Sequence, residues 1–307
     1  MKQTTSTVKQ LKTGLMKNNL NIVFFGTPDF AMPVLEALIK NNYNVSRFQP
    51  QSLKDESVFE EFKNLKPDIC VIAAYGKIIP KNFLDIPRYG FLNIHPSLLP
   101  KYRGSSPIQT TILNGDKETG VSIMVIDEKV DHGPILAQRE FSILNFQFLN
   151  HNELAKELFK LGSELLVEVL PKYLNGKIKP IEQDHSQATF TKMFLREDGR
   201  INWSESCDKI YNQIRALNPE PGTWTVWNPS TNSGQRSKVI NIPTCDVGYP
   251  QIEENAAGMV KKMNNDIVIG TGTGYLIIKS IQLEGGKEMD AKSFMNGHPD
   301  FLGSQLE

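Results

Sequence analysis

Over the first half of the chain, short β-branched and aromatic runs alternate with segments that are apolar at every third or fourth position. Asn21–Phe25 (NIVFF) ends at Gly26 and reads as a buried parallel strand. Pro28 and Asp29 follow as a turn, and then Phe30, Ala31, Val34, Leu35, Leu38 and Ile39 recur at helical spacing. Tyr43-Asn44-Val45 opens a second strand. Val58, Phe59, Phe62 and Leu65 form the apolar stripe of a helix over Glu56–Leu65, punctuated by Pro67. Asp68–Ala74 (DICVIAA) and Phe91–Ile94 (FLNI) read as further buried strands. Gly120–Asp127 and Pro134–Phe141 alternate apolar with polar residues, as exposed or edge strands do, and Glu153–Leu174 predicts a long amphipathic helix. Strand and helix in alternation predict an α/β fold with a Rossmann-like, doubly wound sheet.

The texture changes after Ser186. Residues 187–206 are polar and mixed, a linker candidate between a first domain over 16–186 and a second over 207–307. Cys207–Leu217 is one helix, stopped by Asn218-Pro219. Beyond it stand only short β-type runs, Thr223–Trp227, Lys238–Ile242, Gly258–Lys262, Asp266–Ile269 and Tyr275–Ile281, divided by Gly, Pro and Asn. They predict a small all-β barrel or sandwich. At the other end, Met1–Leu15 carries three Lys, no acid and no apolar core, so it reads as a leader or disordered extension rather than a secretory signal.

Charge and composition narrow the classes. Of 307 residues, 34 are Lys or Arg and 34 Asp or Glu, so the net charge is zero, which argues against a DNA-coating protein. Cys70, Cys207 and Cys245 lie far apart and form no CxxC, which fits a reducing cytoplasm better than a disulfide framework. No apolar run approaches the roughly 18–20 residues of a membrane span, so no membrane partner is expected. Nothing in the chain demands more than a monomer.

Candidate chemistry sits in two segments. After the first strand the text is Gly26-Thr27-Pro28-Asp29-Phe30, not the glycine-rich turn of a dinucleotide site, and Pro28 removes a backbone donor there. The dense segment is Leu92–Gly104 (LNIHPSLLPKYRG), where Asn93 and His95 end a buried strand two residues apart and so share one face. An amide can donate to a developing oxyanion and an imidazole can move a proton. The alternative is a turn cap and a packed strand end, and these two residues alone do not decide between them. The second segment, Ile126–Pro134 (IDEKVDHGP), offers Asp127, Glu128 and Asp131. A carboxylate beside His95 would set its tautomer and favour imidazolium, although an acidic solvated loop suits Asp127 and Glu128 better. His132 has no second His at ligand spacing, so no metal is expected. No nucleophile elbow appears, and direct transfer between two bound substrates is the simpler scheme.

NIHPSLLP followed by DHGP closely resembles the folate-dependent formyltransferases. FFGTPDFA at Phe24–Ala31 is similar to the branch acting on methionyl-tRNA rather than to the branches acting on ribonucleotide or sugar amines. INWS at Ile201–Ser204, IRALNPEPGTW at Ile214–Trp224 and the stretch from Gly258 to Phe294 resemble that branch's C-terminal domain, although a sugar branch has text similar to INWS and NPEPG. The resemblance implies a formyltransferase domain followed by an OB-type barrel. It implies N10-formyltetrahydrofolate as donor and initiator methionyl-tRNA as acceptor, with an amino-sugar nucleotide as the alternative acceptor. Asn93 would hold the oxyanion, His95 would stabilise it or relay protons, and Asp131 would orient His95 and help move a proton. The folate pocket would fall on Tyr75, Gly76, Lys77, Ile78, Ile79, Phe91, Ser97, Leu98, Leu99, Pro100, Ile126, Asp127, Glu128 and Val130.

Two features depart from that family. Val45-Ser46 runs directly into Arg47-Phe48-Gln49-Pro50, where members have a longer basic loop that grips the acceptor end. Losing it is expected to spoil sheet register and core, so residues absent from this sequence are expected there. From Thr191 to Glu307 there are 12 Lys or Arg and 14 Asp or Glu, without the basic footprint usual for RNA binding. Lys192, Arg196, Arg200, Arg215, Arg236, Lys238, Lys261 and Lys262 are the candidates for a shared basic face.

Overall fold

The computed structural model describes residues 20–144, 149–229, 237–248 and 257–307; the expected leader Met1–Leu15 and Arg236 lie outside them. The chain divides into two compact units. One comprises residues 1–107, 117–147 and 152–192, the other residues 108–116, 148–151 and 193–307.

The first unit is built on six strands, β1 (Asn21–Phe25), β2 (Asn44–Arg47), β3 (Ile69–Ala73), β4 (Phe91–His95), β5 (Glu118–Val125) and β6 (Ile135–Ser142), in the order β2-β1-β3-β4-β5-β6. The first four run parallel; β5 is antiparallel to β4 and β6 to β5. Helices α1 (Met32–Lys40) and α2 (Glu56–Asn64) follow β1 and β2, as the crossovers between parallel strands require. On one face, alternate residues of the parallel strands (Val23, Phe25, Cys70, Ile72 and Phe91) join Phe48, Phe62, Tyr75 and Phe83 in one apolar cluster. Its rings meet at 4.9–6.0 Å, mostly tilted or edge-on, which suits their quadrupoles.

Two expectations change here. β2 has four residues only, but the sheet is not spoiled. Ser46 and Arg47 pair with Val23 and Phe24, the Phe48 amide donates to the Phe24 carbonyl at 2.9 Å, and the Phe48 ring fills the core. β5 is not an edge strand: six consecutive residues, Thr119–Met124, are buried between β4 and β6. Its polar Ser122 fits inside because the hydroxyl accepts from the Leu99 amide (3.0 Å) and from Gln138 Nε2 (2.9 Å) and donates to the Ser97 carbonyl (2.6 Å). The alternating exposure belongs to β6, the true edge.

In the second unit, helix Cys207–Leu217 starts at Ser206, whose hydroxyl accepts from the Lys209 amide. Strands β7 (Trp224–Trp227), β8 (Lys238–Gly248), β9 (Val260–Met263), β10 (Asp266–Gly270), β11 (Tyr275–Leu283) and β12 (Met289–Asp290) pair antiparallel, in the order β7-β8-β11-β10-β9 with β12 on β11. The tail from Gly303 to Glu307 joins the two edges. Glu307 exchanges both backbone hydrogen bonds with Val226, while Gly303 and Ser304 bond Val260 and Leu306 bonds Gly258. The sheet thereby closes as a small barrel and leaves few free edges.

The linker candidate 187–206 is not a free tether. Residues 187–192 belong to the first unit and 193–206 to the second, where Ile201 and Trp203 are core residues. Among the described residues no helix is long and apolar enough to cross a membrane.

Candidate active site

β4 carries the site because of its alternation. Leu92 and Ile94 face one side of the sheet; Phe91, Asn93 and His95 face the other, Phe91 in the aromatic cluster and the two polar residues further along. Since β5 is antiparallel to β4, the loop leaving β5 starts beside Phe91, where the Ile126 amide donates to the Phe91 carbonyl at 2.8 Å. That loop turns back along β4 and sets Asp131 over the pair. Asp131 Oδ1 lies 3.4 Å from Asn93 Nδ2 and 3.6 Å from His95 Nδ1, while Oδ2 accepts from the Gly104 amide at 2.8 Å. An amide donor, an imidazole and a carboxylate thus converge on one point, with His95 3% exposed.

The ring of His95 has a backbone partner as well as its carboxylate neighbour. Its Nε2 donates to the Tyr102 carbonyl at 2.9 Å. A carbonyl has no proton to give, so Nε2 carries a hydrogen, and Nδ1 lies on the side of Asp131. Asp131 Oδ1 lies 3.6 Å from Nδ1, on the other edge of the ring.

The turn that supplies Tyr102 and Gly104 is held in an unusual shape. Tyr102 (φ 63°) and Asp131 (φ 47°) are non-glycine residues in left-handed backbone, a conformation that persists only where the surroundings impose it. Gly104 has φ 110°, and a Cβ there would come within 2.8 Å of Thr191, so only glycine fits. Residues 189–191 strap this turn from outside. Thr189 Oγ1 accepts from the Tyr102 amide, the Thr189 carbonyl accepts from the Arg103 amide, and the Thr191 amide donates to the Arg103 carbonyl.

The expected folate residues fall into two groups. Tyr75, Ile79 and Phe91 are core residues, and Ile126 packs against that core. Desolvation by burial raises the Tyr75 phenol above its ordinary value, and its hydroxyl donates to the Pro50 carbonyl at 3.2 Å. Ser97 and Leu99 are buried, the Ser97 hydroxyl bonding the Lys101 carbonyl at 2.6 Å; Leu98 and Pro100 are half-buried. The second group is more open: Gly76, with nothing near its α-carbon side, Ile78 (78% exposed), Val130 (58% exposed) and Glu128 are exposed, and Asp127 is half-buried. Lys77 Nζ donates to the carbonyls of Pro50 and Gln51, and Lys81 pairs with Glu128 at 2.7 Å, joining the loop after β3 to the loop after β5. Asp127 binds His132 Nδ1 at 2.6 Å and the Lys129 amide at 2.9 Å.

Four residues escaped the sequence reading as parts of the site: Arg103, His132, Gln183 and His185. His132 and His185 stack with centroids 4.0 Å apart and an interplanar angle of 11°, and Arg103 and Gln183 bond one another in the interior. Arg103 lay within the motif; Gln183 and His185 stood in a polar stretch with no pattern to mark them. Among the described residues no group of His, Cys, Asp and Glu is arranged to hold a metal ion. Burial raises the Cys70 and Cys245 thiols above their ordinary value, so neither is an activated nucleophile.

Comparison with known proteins shows the family. Residues 28–170 match the formyl transferase family and residues 195–299 its C-terminal domain. The chain belongs to the formyl transferase family and is a one-carbon transferase. Its place within the family follows from relatives matched over nearly their whole length. A methionyl-tRNA formyltransferase of Thermodesulfovibrio yellowstonii is 37% identical over 90% of this chain and 95% of its own. One from Carboxydothermus hydrogenoformans is 36% identical over 94% and 100%. The chain thus belongs with the methionyl-tRNA formyltransferases. Among solved structures, the Clostridium thermocellum methionyl-tRNA formyltransferase superposes with a TM-score of 0.59 at 22% identity, over 82% of this chain and 99% of that one. HypX of Aquifex aeolicus, solved with tetrahydrofolic acid, gives 0.71 at 18% identity over 90% of this chain; the match spans 46% of HypX.

Proposed function

We propose that the site moves the formyl group of N10-formyltetrahydrofolate onto the α-amine of initiator methionyl-tRNA in the cytoplasm, with Asn93, His95 and Asp131 as its catalytic residues. The convergence of these three side chains at one end of β4 is the observation that carries the reading. The donor supplies an activated one-carbon unit at the acyl level of oxidation, so neither a metal nor an enzyme-bound intermediate is required. Asn93 Nδ2 donates to the formyl oxygen as it gains charge, a bond that strengthens toward the transition state. His95, its Nε2–H engaged by Tyr102, turns Nδ1 toward the same point and holds or passes a proton there. Asp131 accepts a proton from the attacking amine and returns it to the leaving nitrogen. One C–N bond forms, one breaks, and the proton lost by the amine ends on N10.

The residues around the site suit a flat pterin. Ile78 and Val130 leave apolar surface that the core does not claim, beside backbone groups of two loops tied together by Lys81 and Glu128. For the acceptor, Arg196 and Arg200 lie over the buried Trp224 ring, 5.6 and 5.5 Å from its centroid, and both are exposed cations that a phosphate can reach.

The test is transfer of labelled formyl to methionyl-tRNA, with an amino-sugar nucleotide as parallel acceptor. Labelling of the tRNA alone is expected. Labelling of the sugar alone would replace the acceptor assignment, and labelling of neither would overturn the proposed activity.

A further inference from the structure

Behind Asp131 lies a buried amide with no part in the steps above. Gln183 is 6% exposed and sits on the strand-like stretch that follows Ile181. Its Nε2 donates twice, to the Asp131 carbonyl at 2.9 Å and to the Gly133 carbonyl at 2.7 Å, so it spans the turn on both sides of His132. Its Oε1 accepts twice from Arg103, from Nε at 3.1 Å and from Nη2 at 2.7 Å. The amide cannot be reversed: two carbonyls require the NH2 end and a guanidinium requires the oxygen.

Two features separate this from ordinary packing. The backbone it grips is the left-handed turn at Asp131, φ 47°, which needs an external hold. The grip also depends on a guanidinium 3% exposed whose charge meets Gln183 and His185 Nδ1 (2.8 Å) and, among the described residues, no carboxylate. Burying a charge against neutral partners is costly, and apolar residues would fill the space more stably. The guanidinium polarises the amide, and the NH2 end becomes the stronger donor.

We infer that Gln183, held by Arg103, is a positioning residue for formyl transfer: it fixes the Asp131 turn so that the carboxylate stays over Asn93 and His95. The inference rests on the proposed role of Asp131. Gln183→Glu keeps the length of the side chain and its pairing with Arg103 but removes both donors and faces a carboxylate toward two carbonyls. Expected are a melting temperature near that of the native protein, an unchanged KM for the folate donor, and a kcat about 10- to 100-fold lower, the scale of a small misplacement of a reacting group. In an Asp131→Asn background the same substitution is expected to change kcat no further, since both act through one group. Gln183→Met, uncharged and of similar length, is expected to repeat the loss should the buried glutamate prevent folding. Native kcat in Gln183→Glu or Gln183→Met, with Asp131→Asn inactive, would overturn the positioning role and leave the reaction scheme standing. An equal further loss in the Asp131→Asn background would overturn it too. Near-native turnover of Asp131→Asn itself would instead overturn the scheme.

Discussion

The two units bury different kinds of polar side chain. In the first, His95, Arg103 and Gln183 are almost wholly enclosed, and all three lie within one network around Asp131. In the second, apart from the indole N–H groups of its tryptophans, the described residues bury hydroxyls, among them Thr223, Thr225, Thr271 and Ser280. These close the architecture. Thr225 accepts from Trp203 Nε1 at 2.9 Å and donates to the Glu307 carbonyl at 2.8 Å, linking core to tail. A hydroxyl satisfies itself locally at small cost, whereas an imidazole, an amide or a guanidinium in the interior must be held by several partners. The first unit accepts that cost around the proposed site; the described residues of the barrel show no comparable network.

The contrast is sharpest for the reacting groups. Asn93→Ala is expected to cut turnover about 10²–10³-fold with little change in melting temperature, as loss of one oxyanion donor does; near-normal formylation would remove Asn93 from the mechanism. Gly133→Ala tests the loop rather than the chemistry. A Cβ there would lie 1.9 Å from the Val125 carbonyl oxygen, so the backbone between β5 and β6 must move. Turnover about 10²-fold lower is expected, because Asp131 moves with it; steady-state rates beside a thermal melt would show whether activity falls further than stability. In the barrel, Thr225→Val should do the opposite. It strands the Trp203 indole N–H and is expected to cost about 1–3 kcal/mol in urea unfolding while leaving folate binding intact. A loss of folate binding in the folded variant would mean the barrel hydroxyls are not purely architectural.

The smallest effect is expected from the thiols. Cys70 and Cys245, one in each unit, have pKa values raised by burial. Both should resist alkylation in the native protein and react in denaturant, and labelling of either under native conditions would contradict their enclosure. The sign of the linkage is the same in both units. The unfolded thiols ionise first, so this contribution to stability is complete below the ordinary thiol value of 9.0 and declines as pH rises above it.

Much of this was legible along the chain. Hydrophobic period placed β1, β3, β4 and the helix Cys207–Leu217 to within a residue or two, since each buries a repeating pattern against a neighbour. Asn93 and His95 could be put on one face because β alternation is local geometry. The edge assignment of β5 failed for a reason outside the strand: Ser122 looks exposed until Ser97, Leu99 and Gln138 close around it. The same holds for β2, whose shortness is made good by Phe48 entering the core.

What the sequence determined by itself was the alternation of elements, the change of texture past residue 186 and the two segments that form the candidate site, because backbone period and residue type are properties of neighbours in the chain. Only the tertiary structure decided that the Tyr102 carbonyl takes the Nε2–H of His95, that residues 189–191 strap the turn at Tyr102–Gly104, and that Gln183 grips the Asp131 turn. Those contacts join residues up to 88 positions apart. No local pattern records the strap or the Gln183 grip, which tie distant stretches of the chain together.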